Sequence, residues 1–197
     1  GSGKTMVAFA ALLAAAQQGW QSALMAPTEI LAKQHYQNLS RLAPGMGLRV
    51  ALVTGSMTKK QKDNIKEQIL QGEVDVVIGT HALIQKDVVF RDLSLVITDE
   101  QHRFGVEQRS ELADKGGSPH ILVMSATPIP RSLSFVIYGD LDLSVIDELP
   151  PGRQKVETHL MGQNKKEGLY GFILKEVKMG HQAYFICPLV EESEKIE

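Results

Sequence analysis

The chain is predicted to fold as an α/β protein whose parallel sheet carries helices on both faces. Short aliphatic and β-branched runs alternate with longer stretches of helical character. The short runs are apolar almost throughout, as strands covered on both faces must be. Strands are expected at residues 23–26, 49–53, 74–78, 95–98, 121–124 and 143–146, with helices at 5–18, 29–42, 59–71, 107–115 and 131–138 between them. Gly19 and Gly72 stand where helix C-termini favour a residue that tolerates positive φ. The string DELPPGR at 147–153 breaks the rhythm, because two prolines and a glycine cannot continue a helix or a central strand. A linker over 147–155 therefore divides a first domain (1–146) from the opening of a second (156–197), with a strand at 156–160, a helix at 165–178 and a strand at 183–187.

At 197 residues the chain can hold one full domain and part of another. A hydrophobic content of 43% with 22% charged residues excludes general disorder. The formal charge of −2 gives no global basic surface, so any nucleic-acid binding must rest on local groups. One cysteine, Cys187, excludes an internal disulfide framework and suits a reducing, cytoplasmic compartment. The stretch MVAFAALLAAA (6–16) has the character of a signal-peptide core but is too short to span a bilayer. It also directly follows GSGKT, which accounts for it better.

GSGKT fits the end of a phosphate-binding loop, G-x-x-x-x-G-K-[ST], through Gly3, Lys4 and Thr5. Glycines let the backbone of Gly1, Ser2 and Gly3 wrap a phosphate without Cβ clashes, and amides at the start of the next helix point at the anion. Lys4 would reach the β- and γ-phosphates, and the Thr5 hydroxyl can ligate Mg²⁺. The pattern's first glycine would precede Gly1, and so would the strand that feeds the loop, expected near the middle of the sheet. A flexible Gly/Ser artefact is the bland alternative.

VITDE (96–100) lowers the weight of that alternative, since an apolar strand ending in two acids suits a nucleotide hydrolase. Asp99 would hold Mg²⁺, through its waters because this ion gives up hydration reluctantly. Glu100 would orient and deprotonate the attacking water. A strand that simply ends in solvated acids is the plain alternative, and a phosphate loop at domain-scale spacing argues against it.

GSGKT, APTEILAKQH (26–35), GTHAL (79–83), DEQH (99–102) and SAT (125–127) together resemble the superfamily 2 helicases in order and spacing. The longer strings DEQHRFGV, SATPIPR and DELPPGR are more specific, and with AYFICPLVEESE (183–194) they resemble the RecG-type ATP-dependent helicases that remodel branched DNA. The resemblance implies a RecA-like first motor domain followed by the start of a second RecA-like domain. It implies ATP and Mg²⁺ as cofactors, and forked or junction DNA as partner in recombination and repair. Lys4, Asp99, Glu100 and Gln101 would then be catalytic. His102, Ser125 and Thr127 would couple the nucleotide site to the DNA side. Pro27, Thr28, Glu29, Thr54, Gly55, Gly79, Thr80 and His81 match DNA-backbone motifs, where hydroxyls and amides bind phosphate without net positive charge.

Thr28 also has the character of a plain helix N-cap. His81 and His102, taken singly, fit structural histidines equally well. KKQKDNIKEQ (59–68) reads as a solvated helix face, and NKKE (164–167) lacks the aspartate of a guanine-reading motif. The translocase of the transcription–repair coupling factor shares HRFGV and the phosphate loop, but Gln101 and DELPPGR weigh toward RecG. A nucleotide-binding module that moves no DNA is the rival of another class. The resemblance further implies a wedge domain and a completed second motor domain elsewhere in the polypeptide, and the 197-residue segment by itself is expected to be inactive.

Overall fold

A computed structural model describes residues 3–99, 115, 117–125, 142–148, 152, 156–162 and 165–186. It divides into two compact units, Gly1–Pro151 and Gly152–Glu197. In the first unit, helix α1 (Lys4–Gln17) leads to β1 (Gln21–Met25), α2 (Glu29–Met46), β2 (Val50–Val53), α3 (Lys59–Gln71) and β3 (Val76–Gly79). A 3₁₀ turn (His81–Leu83), β4 (Leu93–Asp99) and β5 (His120–Met124) follow. All strand pairs are parallel, in the order β2-β3-β1-β4-β5. The five are contiguous, so both edges of β3, β1 and β4 are paired.

Alternate strand residues feed two cores. Leu24, Val76, Ile78 and Ile97 pack with Phe9 and Leu12 of α1 and with Ala32 and Leu39 of α2. Ala23, Met25, Val77 and Val96 pack on the other face with Ile69 of α3 and Leu83 of the 3₁₀ turn. β1, β3 and β4 are thus covered on both sides, which is why their sequences are apolar without alternation, whereas β5 leaves Ile121 exposed.

α3 spans the predicted residues, opened by a Thr58/Gln61 capping box and closed by Gly72 at φ 74°. α2 runs beyond the predicted end. Pro44 sits in its last turn, and the stop is set by Gly47 at φ 67°, after which Leu48 N–H returns to the Ala43 carbonyl at 3.1 Å. At the start of β1, Gln21 is buried and ties four backbone groups. Its amide donates to the carbonyls of Ile69 and Val74, both at 2.9 Å, and its oxygen accepts from the amides of Arg91 and Asp92.

Among the described residues three expected strands are absent, with Cys187, the last residue of the third, lying outside them. Residues 143–146, 156–160 and 183–186 are described without regular structure, and Leu143, Val145, Val156 and Ile186 are exposed. A strand needs a neighbour to take its amides and carbonyls, and the pairings of the described residues offer these segments none. The second unit contributes helix α4 (Lys166–Lys178), with no buried residue, and a Tyr170–Phe185 ring contact at 6.4 Å between centroids. The helices expected at 107–115 and 131–138 fall almost wholly outside the described residues. Among the described residues no helix is long and apolar enough to cross a membrane.

Candidate nucleotide and DNA site

Every described candidate beyond the phosphate loop lies at or just after the carboxyl end of a parallel strand. Pro27, Thr28 and Glu29 follow β1, Thr54 and Gly55 follow β2, and Gly79, Thr80 and His81 end or follow β3. Asp99 ends β4 and Ser125 follows β5. In open parallel sheets this is the edge at which ligands bind. The sheet order sorts the residues further. The DNA-motif candidates sit on the β2-β3-β1 side, and the nucleotide candidates on β4-β5.

The phosphate-loop end is built by Gly3, which precedes α1 at φ 89° and ψ 5°, a left-handed conformation that disfavours any side chain. No side chain caps α1 and no acid occupies its first turn, so its leading amides and the positive end of its dipole remain suited to an anion. Lys4 donates from Nζ to the Ser125 carbonyl at 2.7 Å, which brings the loop to the end of β5. Asp99 pairs in register with Met124, the residue before Ser125, so lysine and acid converge on one patch of the sheet edge.

Asp99 has a partner the motif reading missed. His35 of α2, 64 residues away in sequence, lies with Nε2 2.8 Å from Asp99 Oδ2. A carboxylate can only accept, so the imidazole donates from Nε2. His35 is buried, and Nδ1 has no hydrogen-bond partner among the described residues. The sequence did carry a signal. On the face of α2 that buries Ala32, Leu39 and Ala43, His35 is the polar exception.

On the DNA-motif side, Thr28 caps α2 by accepting from Leu31 N–H at 3.3 Å, the N-cap role its position suggested. Glu29 turns away to the loop after β2. Its oxygens accept from Ser56 N–H at 2.9 Å and from Ser56 Oγ at 2.5 Å, and these bonds hold its carboxyl below the usual carboxylate range. Glu29 therefore ties the start of α2 to the Thr54–Gly55 turn. Gly79 lies so close to β2 that a Cβ would come within 2.4 Å of the Val53 carbonyl oxygen and 2.8 Å of Leu83 Cγ. Thr80 and His81 then open the 3₁₀ turn. The α3 surface is solvated as expected, with Lys62 on the Gly55 carbonyl and Lys66 on Asp87, whose carboxyl the lysine holds below its usual range. Gly1, Ser2, Glu100, Gln101, His102 and Thr127 lie outside the described residues.

Among the described residues no group of three or more His, Cys, Asp or Glu could hold a metal ion. Mg²⁺ beside a nucleotide needs no such cage, since one carboxylate or hydroxyl, waters and phosphate oxygens complete its shell. Thr5 and Asp99 are hard oxygen donors of that kind, and the uncapped α1 terminus with Lys4 suits the phosphates. The residues present fit a Mg²⁺–nucleotide.

The DEAD/DEAH box helicase model matches residues 1–136. The chain is 52% identical over 197 residues to the ATP-dependent DNA helicase RecG of Bacillus subtilis, covering all of this chain and 29% of that protein. It is 54% identical over 198 residues to RecG of Aquifex aeolicus, covering 25% of it. A solved structure of RecG bound to a three-way DNA junction superposes with a TM-score of 0.80 at 49% identity, over 96% of this chain and 25% of that one. The helicase MrfA, at 20% identity and a TM-score of 0.56, shares the fold. With its parallel RecA-like sheet and a likeness to RecG that runs over all of this chain but only about a quarter of RecG, the chain belongs to the DEAD/DEAH box helicase family.

Proposed function

We propose that this chain is the ATP-binding part of a helicase motor that acts on branched DNA, such as forks and Holliday junctions, in recombination and repair. The observation that carries the reading is the sorting of candidates along one sheet edge: Lys4, Asp99 and Ser125 at β4-β5, and the hydroxyl- and amide-bearing turns at β2-β3-β1. The likeness to RecG supports the choice of branched DNA, and the cytoplasm is the matching compartment.

In this reading the backbone of Gly1, Ser2 and Gly3 and the first amides of α1 cradle the phosphates. Lys4 neutralises charge on them, and Thr5 and Asp99 face Mg²⁺. Bound ATP supplies the phosphoanhydride bond whose hydrolysis drives movement. Glu100 orients and deprotonates the attacking water, with Gln101 beside it. His102, Ser125 and Thr127 link this half of the edge to the DNA half. There Pro27, Thr28, Thr54, Gly55, Gly79, Thr80 and His81 present amides and hydroxyls to backbone phosphates, and Glu29 shapes the turn they use. The remainder of the polypeptide supplies the wedge and the rest of the second motor domain.

The test is ATP hydrolysis by the full-length protein with no DNA, linear duplex, forked DNA and a three-way junction. Stimulation greatest with the branched substrates is expected. Hydrolysis or nucleotide binding indifferent to every nucleic acid would instead make the protein a nucleotide-binding module that moves no DNA.

A further inference from the structure

We infer that His35 is a positioning residue for Asp99, fixing the orientation of the carboxylate that faces the metal. The inference rests on the reading of Asp99 above and adds a residue to it. Asp99 ends β4, where the strand no longer dictates its side chain, and two rotatable bonds would let the carboxylate sweep a wide arc. His35 Nε2 at 2.8 Å takes one of its two oxygens and removes that freedom.

The placement of His35 argues against mere packing. The side chain is 8% exposed, on the stripe of α2 that otherwise buries Ala32, Leu39 and Ala43. An apolar side chain would fill that stripe without the cost of burying an imidazole. Among the described residues the ring's one polar partner is Asp99, and Nδ1 has none. The polarity of the ring is therefore spent on a single acceptor. α2 itself is fixed, by its packing on the sheet and by Glu29 at its start on Ser56. The imidazole thus comes from a rigid rod, which a group that orients a metal-facing carboxylate requires. Partners of this kind, hydrogen-bonded to a metal ligand, change metal affinity or activity by about 10–100-fold when removed.

The experiment uses the full-length protein and the variants His35→Leu, His35→Gln, His35→Asn and Asp99→Asn. Glutamine carries its amide nitrogen about as far as Nε2 of the ring, whereas asparagine stops near the position of Nδ1. Two quantities are read: the Mg²⁺ concentration for half-maximal DNA-stimulated hydrolysis, and the Mg²⁺ dependence of binding a fluorescent, non-hydrolysable ATP analogue. Melting temperature checks folding. His35→Leu and His35→Asn should raise both Mg²⁺ midpoints about tenfold or more, leave analogue binding without Mg²⁺ unchanged, and be rescued by His35→Gln. Wild-type midpoints in a folded His35→Leu overturn the inference, as does a lowered melting temperature as the sole effect. Should His35→Leu fail to fold, the glutamine–asparagine comparison decides, and identical midpoints for the two overturn it. Asp99→Asn separates the layers. If it keeps normal Mg²⁺ dependence, the reading of Asp99 fails and the inference with it. If it loses that dependence while His35→Leu keeps it, the inference alone fails.

Discussion

The Lys4 ammonium donates to the Ser125 carbonyl at 2.7 Å, joining the first turn of α1 to the end of β5 across 121 residues of sequence. Beside that link, Asp99 ends the neighbouring strand in register with Met124. Lys4 and Asp99 thus share one patch of the sheet edge, and the proposed function gives Lys4 and Glu100 different chemistry.

Lys4→Ala and Glu100→Gln should consequently separate. Lys4→Ala should weaken nucleotide binding, because the lysine meets phosphates already present in the ground state. Glu100→Gln should bind ATP normally and turn it over on the order of 10²-fold or more slowly. Equilibrium binding of a labelled nucleotide and steady-state hydrolysis, both in the intact protein, check this. Near-normal turnover in Glu100→Gln would remove that residue from the role of base.

Thr80 and His81 open the turn after β3, two strands away from β4. Substituting both with alanine should lower DNA-stimulated hydrolysis and unwinding and leave nucleotide affinity within about twofold, since a contact worth a few tenths of a kcal/mol changes an equilibrium by no more. An equal loss of nucleotide affinity would place the pair in the ATP site.

Glu29 predicts a pH effect with a definite sign. Its carboxyl is held below the usual range by the Ser56 side-chain and backbone bonds, so the folded state binds its proton more weakly than the unfolded state does. The stabilisation is therefore fully present above the unfolded value and is lost as pH falls through the folded one. The urea midpoint of the wild type should exceed that of Glu29→Gln at neutral pH, and the gap should close in acid below the usual carboxylate range. A gap that stays constant down to the acid limit would show that ionisation of Glu29 contributes nothing.

Gln21 offers a purely structural check. Replacing it with leucine strands the Val74 carbonyl and the amides of Arg91 and Asp92, while the Ile69 carbonyl keeps the Gly72 N–H at 3.1 Å. At about 1–3 kcal/mol for each buried group left unpaired, with partial relief by water, the loss should reach at least about 2 kcal/mol in urea unfolding. Hydrolysis by the surviving folded protein should be unchanged. A loss below about 0.5 kcal/mol would mean that solvent reaches these groups as readily as the glutamine does.

What the sequence determined by itself is local. Apolar runs without alternation required strands covered on both faces, Thr58 with Gln61 and Gly72 bounded α3, and GSGKT and VITDE carried their chemistry in adjacent residues. Backbone hydrogen bonding and capping act over a few positions, so these features survive translation into one dimension. The same limit explains the failures. Residues 143–146, 156–160 and 183–186 have the composition of strands, but a strand exists only where a neighbour takes its hydrogen bonds. Tertiary structure alone decided the order β2-β3-β1-β4-β5, which assigns the two sets of candidates to two halves of one edge. It also decided the pairs His35–Asp99 and Glu29–Ser56, formed across 64 and 27 residues. Each of these joins groups brought together by the packing of α2 on the sheet, and no spacing in the chain encodes that distance.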